Sequence, residues 1–162
     1  MTNQIAAGGK HSLRITDAPG LTARFNPHFY YTPHHRDGVT TCSFDLNLGP
    51  GVEFHHEWRD TASPYRTGPG IVVHGGNLTV SGKKLVALPT DQWIHIEITA
   101  GLGVKSTGTW NLSVTLPGQP PQRFPGLPCN PQWKQLEWLG FVSNADTKTV
   151  YHIDNLTLTN KP

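Results

Sequence analysis

Residues 93–99 read Trp93-Ile94-His95-Ile96-Glu97-Ile98-Thr99. Isoleucine occupies every second position, with polar or aromatic residues between. That is a period of two, the period at which successive side chains of a strand point to opposite faces. A helix over the same residues would put Ile96 on the face away from Ile94 and Ile98, and β-branched residues favour strands. Working outward, Thr40 to Leu48 alternates in the same way, with Cys42, Phe44, Leu46 and Leu48 opposite Thr41, Ser43, Asp45 and Asn47. Val52 to Trp58 places Val52, Phe54, His56 and Trp58 opposite Glu53, His55, Glu57 and Arg59. Trp110 to Leu116 aligns Trp110, Leu112, Val114 and Leu116. Shorter runs lie at Leu13–Ile15, Ile71–Val73, Leu78–Val80 and Lys84–Leu88, and further strands at Leu136–Val142 and Tyr151–Leu158. Turn chemistry separates them, as in Gly49-Pro50-Gly51, Gly75-Gly76-Asn77 and Ser81-Gly82.

Many short strands spaced by Gly/Pro turns predict an all-β chain, a two-sheet antiparallel sandwich. No break in composition divides the 162 residues, so they read as one domain, 1–162, with residues 1–9 as a disordered or appended leader. The segment Pro117 to Pro131 holds six prolines and reads as a long connection with an edge strand around Arg123-Phe124. Candidate core residues are Phe44, Leu46, Phe54, Ile94, Ile96, Ile98, Trp110, Leu112, Val114 and Ile153.

Charge narrows the function. Thirteen basic and eleven acidic residues leave +2, too little for a nucleic-acid footprint. No apolar run approaches the roughly 18 residues of a membrane-spanning helix. No G-x-S-x-G or phosphate-cradling glycine loop occurs. Two cysteines, Cys42 and Cys129, make no zinc ribbon; a disulfide and two free thiols both fit them.

The pattern Gln92-Trp93-Ile94-His95-Ile96-Glu97-Ile98, then Gly108-Thr109-Trp110-Asn111-Leu112-Ser113-Val114, then Leu139-Gly140-Phe141-Val142-Ser143, then Tyr151-His152-Ile153-Asp154-Asn155-Leu156 resembles the concanavalin A-like jelly roll of laminin-G-like domains and sandwich carbohydrate-binding modules. Gly9 to Ile15 resembles the first strand of such modules. The resemblance implies a jelly-roll sandwich with a polysaccharide-associated role and a structural calcium between the first and last strands. Asp154 matches the family's acidic ligand position, with Asp17 contributing from the N-terminal side. Calcium takes six to eight hard oxygen ligands, so the site would be dispersed. Phe25-Asn26-Pro27-His28-Phe29 resembles a galectin sugar-contacting strand, but Arg24 and His28 stand where that family has histidine and arginine.

Residues 28 to 66 concentrate rings, imidazoles and charge: His28, Tyr30, Tyr31, His34, His35, Arg36, Asp37, His55, His56, Glu57, Trp58, Arg59, Asp60, Tyr65 and Arg66. Sugars are held by aromatic faces against ring C–H groups and by a few fixed polar groups against hydroxyls. The candidate stacking residues are Trp58, Trp93, Tyr30 and Tyr65; the candidate hydrogen-bonding residues are Arg36, His55, Glu57, Arg59, His95 and Glu97. If the strand of His55, Glu57 and Arg59 shares a sheet with that of Trp93, His95 and Glu97, both stripes line one surface.

The function expected is a non-catalytic carbohydrate-binding module that carries an attached catalytic domain of the same parent chain to a polysaccharide. The setting is secreted, periplasmic or cell-surface, with no signal peptide in these residues. The alternative is a catalytic jelly roll. A glycosidase would need Glu53 or Glu57, about 13 Å apart along a strand, to find a partner such as Glu97. A polysaccharide lyase would draw on Arg59, His55 or His56, and Tyr65 or Tyr30. A histidine metal site built from His34-His35 and His55-His56, and a structural or adhesion sandwich that binds protein, complete the set.

Overall fold

The computed structural model describes residues 1–162. Twelve strands run in chain order: β1 (Leu13–Asp17), β2 (His28–Tyr31), β3 (Gly38–Leu48), β4 (Phe54–Arg59), β5 (Thr67–His74), β6 (Asn77–Val80), β7 (Lys83–Ala87), β8 (Trp93–Leu102), β9 (Thr109–Thr115), β10 (Gln122–Pro128), β11 (Trp138–Ser143) and β12 (Thr149–Lys161). One single-turn 3-10 helix, Gly103–Lys105, interrupts them. The strands form two antiparallel six-stranded sheets. The first has the order β1-β12-β3-β8-β9-β10 and the second β2-β11-β4-β5-β6-β7. No helix is long and apolar enough to cross a membrane.

The alternation of the sequence is the alternation of the sheets. On β8, Ile94, Ile96 and Ile98 are fully buried, and every candidate core residue named above is inside. Phe44 of the first sheet meets Phe141 of the second edge-on at 5.2 Å, and Phe54 meets Tyr151 at 5.3 Å. Such aromatic pairs add about 0.5–1.5 kcal/mol each beyond area burial. The proline-rich segment carries β10 as an edge strand with a register shift between Phe124 and Leu127. Cys42 is buried inside, and both cysteines are free thiols.

Asp17 and Asp154 lie on β1 and β12 but do not converge. Asp17 stands opposite Thr149, while Asp154 lies beyond the last β1–β12 pair, Leu13–Ile153. Asp17 points inward and accepts from Ser143 Oγ (2.6 Å) and the amides of Ala145 and Ala18, tying the two sheets together. Asp154 is held by the amides of Ala7, Gly8 and Asn155. These hydrogen bonds keep its carboxyl below the usual range, against its partial burial. The residues therefore do not fit a shared calcium site between first and last strands: each carboxylate is already satisfied by protein donors, on opposite faces of the sheet.

Candidate functional site

Strand β4 occupies the middle of the second sheet, so its outward residues have neighbours on both sides. The register sets Tyr30, Gly140, Glu57 and Gly70 in one row across β2, β11, β4 and β5. Two of the four positions lack side chains: the β5 position beside Glu57 opens a trough, and the β11 position is covered by the ring of Trp138. The two glycines serve it differently. A Cβ on Gly140 would collide with the indole of Trp138, so this glycine lets Trp138 lie flat on the sheet. A Cβ on Gly70 would meet only the His56 carbonyl at 3.7 Å, so that position is open floor.

An array of rings borders the trough. Phe25 meets His28 edge-on at 5.4 Å, His28 stacks near Tyr30 at 6.1 Å, and Tyr30 stacks on Trp138 at 5.7 Å. The Arg59 guanidinium then lies between Trp138 and Tyr65, 4.1 Å from each ring centre. Cation–π contacts of this kind contribute about 0.5–2 kcal/mol. Phe25, Tyr30 and Tyr65 are each about half exposed, at 55%, 52% and 50%.

Tyr65 is delivered by a closed loop. Asp60 N–H donates to the Arg66 carbonyl (3.2 Å), and Asp60 Oδ1 accepts from the amides of Ala62 (3.0 Å) and Arg66 (2.8 Å). Arg66 Nε lies 2.7 Å from Asp60 Oδ2, and its Nη1 donates to the Gln132 carbonyl. A register shift between Glu57 and Arg59 bends β4 against β5 at this point, as bulges beside sites do.

Two clefts meet at His55 and Tyr65, which line both. One, about 530 Å³, runs past Glu57, Arg66, Thr67, Gly70, Ser81 and Asn130. The other, about 320 Å³, runs past Phe25, His28, Arg59, Trp138 and Asn144. Ligand pockets are typically about 300–1,000 Å³. Glu57 is buried at the centre, accepting from Arg59 Nε, with His55 Nε2 3.4 Å from its other oxygen. Burial pushes the His55 pKa down; Glu57 pulls it up and Arg59 adds to the depression. His55 is therefore neutral at pH 7.

Tyr30, His55, Glu57, Arg59 and Tyr65 thus come together on one face. The other residues singled out from the sequence lie elsewhere. Trp58 is fully buried, in phase with Phe54 and His56, and packs near Trp133; it presents no face to a ligand. Trp93, His95 and Glu97 are on β8 of the first sheet, so the two polar stripes look out from opposite sides of the sandwich. There His95 Nδ1 bonds Asp45 Oδ1 (2.7 Å). Glu97 cannot partner Glu53 or Glu57 across the sandwich. Arg36 lies outside both clefts and faces Glu137 at 3.5 Å, beside the His34–Glu137 bond of 2.5 Å. No group of three or more His, Cys, Asp or Glu side chains is placed to hold a metal ion. Trp138, Gly70 and Gly140 escaped the sequence reading; the one available signal was a glycine two residues after a tryptophan in an otherwise apolar strand.

No family model and no curated protein sequence matches the chain. Solved structures do. An endo-β-1,4-glucuronan lyase from the fungus Trichoderma reesei superposes with a TM-score of 0.68 at 10% identity, over 98% of this chain and 85% of that one. An alginate lyase from Aplysia kurodai gives 0.64 at 10% identity, over 96% and 85%. The exoplasmic/lumenal domain of VIP36, bound to Ca²⁺ and Man3GlcNAc, gives 0.56 at 9% identity, over 95% and 80%. At such identities the likeness speaks for the fold alone, and that fold is the concanavalin A-like two-sheet sandwich.

Proposed function

We propose that the chain is a carbohydrate-binding sandwich that holds a polysaccharide along the outer face of its second sheet. One observation carries this reading: a trough floored by Gly70 and bordered by Tyr65 and by Trp138 lying over Gly140, with Arg59 held between those two rings and His55 lining both clefts. The rings supply apolar platforms, and the Arg, His, Thr and Asn groups of the clefts supply hydrogen bonds to hydroxyls. In this role the domain concentrates an attached catalytic domain on its substrate, at a secreted or cell-surface location. Structural neighbours that act on or bind saccharides agree with it.

A catalytic reading draws on one further observation, that neutral His55 and Tyr65 line both clefts, as a base and an acid for elimination would. Glycoside hydrolysis has less to work with. It needs two carboxyl groups about 5–10 Å apart, and Glu57 is the one carboxylate lining the clefts.

Affinity-gel retardation with a polysaccharide panel, alongside assays for reducing ends and for the ultraviolet absorbance of unsaturated ends, separates the readings. Retardation without product is the expected result. Product formation would replace the module with an enzyme, and neither signal would leave an adhesion role. Gly70→Val supplies the site-specific control. Valine suits a strand and its Cβ meets an ordinary contact there, so the fold should persist while the floor rises; binding should fall about tenfold, a change of about 1.4 kcal/mol.

A further inference from the structure

The charges of the groove are matched one for one. Its two guanidiniums, Arg59 and Arg66, each face a buried carboxylate, Glu57 and Asp60. No lysine lines either cleft. His28 is engaged with Asn26 Oδ1 at 2.8 Å. Further along the same face His74 is paired with Glu53 at 3.0 Å. Lys83 and Lys84 lie two strands beyond β5, on the edge strand β7.

From this pairing we infer that the groove selects an uncharged glycan and rejects polyuronates; the inference rests on the saccharide reading above. The physical ground is the cost of competing for an occupied cation. A uronate carboxylate entering the trough gives up its hydration, and both guanidiniums already hold a carboxylate. The newcomer must displace Glu57 or Asp60, leaving that buried charge without its partner, or share the cation beside a like charge. A hydroxyl makes no such demand. A guanidinium has five N–H donors, so those not spent on the carboxylate remain for neutral oxygens, as do Thr67, Ser81, Asn130 and Asn144. The long-range field of the site is also close to cancelled, so nothing steers an acidic polymer towards it.

The test uses the intact protein in affinity gels and calorimetry with soluble neutral polymers (mixed-linkage β-glucan, xylan, mannan) and two polyuronates (alginate, polygalacturonate). Retention by a neutral polymer is expected, with affinity unchanged within about twofold between about 50 and about 500 mM NaCl, because no counter-charge is being screened. Polyuronates should not be retained. Glu57→Gln keeps the shape, unmasks Arg59, and should bring polyuronate binding that fades with salt. Binding of a polyuronate by the wild-type protein, as well as or better than neutral polymers, overturns the inference and leaves the saccharide reading standing. A folded Glu57→Gln protein that gains no polyuronate binding overturns it as well. If that variant does not fold, the wild-type comparison decides alone. Silence towards every polymer removes the saccharide reading itself.

Discussion

Trp138→Ala should weaken glycan binding by about thirty- to a hundred-fold, a loss of about 2–3 kcal/mol, while the unfolding midpoint in urea moves little. The indole is the centre of the ring array. It lies over Gly140, stacks against Tyr30, and backs the Arg59 guanidinium from the side opposite Tyr65. Removing it deletes the platform and also releases two groups that it holds in place. The void opens towards solvent, above a residue with no side chain, so it is not the enclosed cavity that makes core truncations costly. Calorimetric titration beside a urea melt measures both quantities. Trp93→Ala is the matched control, because Trp93 lies on the other sheet, at the β3–β8 pair Asn47–Trp93. Its affinity should stay at the wild-type value. If Trp138→Ala binds normally and Trp93→Ala does not, the binding face is the other side of the sandwich.

That control also marks where sequence reading stops. Alternation reports which residues share a face of one strand, and it identified the buried isoleucines of β8 and the inward Phe44 and Leu46 of β3. It does not report which sheet a strand joins. His55, Glu57 and Arg59 therefore read like a companion to Trp93, His95 and Glu97, although β4 and β8 lie in different layers. The phase of β4 had placed Trp58 with Phe54 on the inward side. Its ring chemistry suggested stacking on a sugar, but burial gives it to the core. Strand β2, four residues of histidine and aromatics at a sheet edge, has no apolar alternation to reveal it. The trough is harder still to foresee. It depends on Gly70 and Gly140, seventy positions apart, falling in register with Glu57, the first left open and the second seating Trp138, and register is a property of the assembled sheet.

Acid should loosen this floor from beneath. His56 is fully buried under the trough, its ring 4.4 Å from that of Phe141. Its two nitrogens lie 2.9 Å from the Gly140 carbonyl and 2.9 Å from Trp58 Nε1. The carbonyl can only accept, so Nδ1 carries the proton; the indole can only donate, so Nε2 offers its lone pair. A second proton on Nε2 would face another donor. Burial is the largest influence on this group and pushes its pKa down to about 3; the Gly140 carbonyl raises it and the neighbouring His55 lowers it further. In the unfolded chain a histidine protonates near 6.5. Between about 6.5 and 3 the unfolded state therefore holds one more proton than the folded state, and stability falls as pH falls. From pH 6.5 to 4.5 the loss through this residue is roughly 2 kcal/mol. His55, also shifted down, acts in the same direction. His56→Phe isolates the effect. The variant leaves the Trp58 N–H unpaired, which costs about 1–3 kcal/mol at pH 7, but it has no imidazole to protonate. In urea unfolding at a series of pH values, wild type and variant should converge as pH drops towards 4.5. Parallel profiles would mean that the ring is not held neutral. Convergence would tie groove and core together, since the residue that accepts the His56 proton is Gly140, the one over which Trp138 lies.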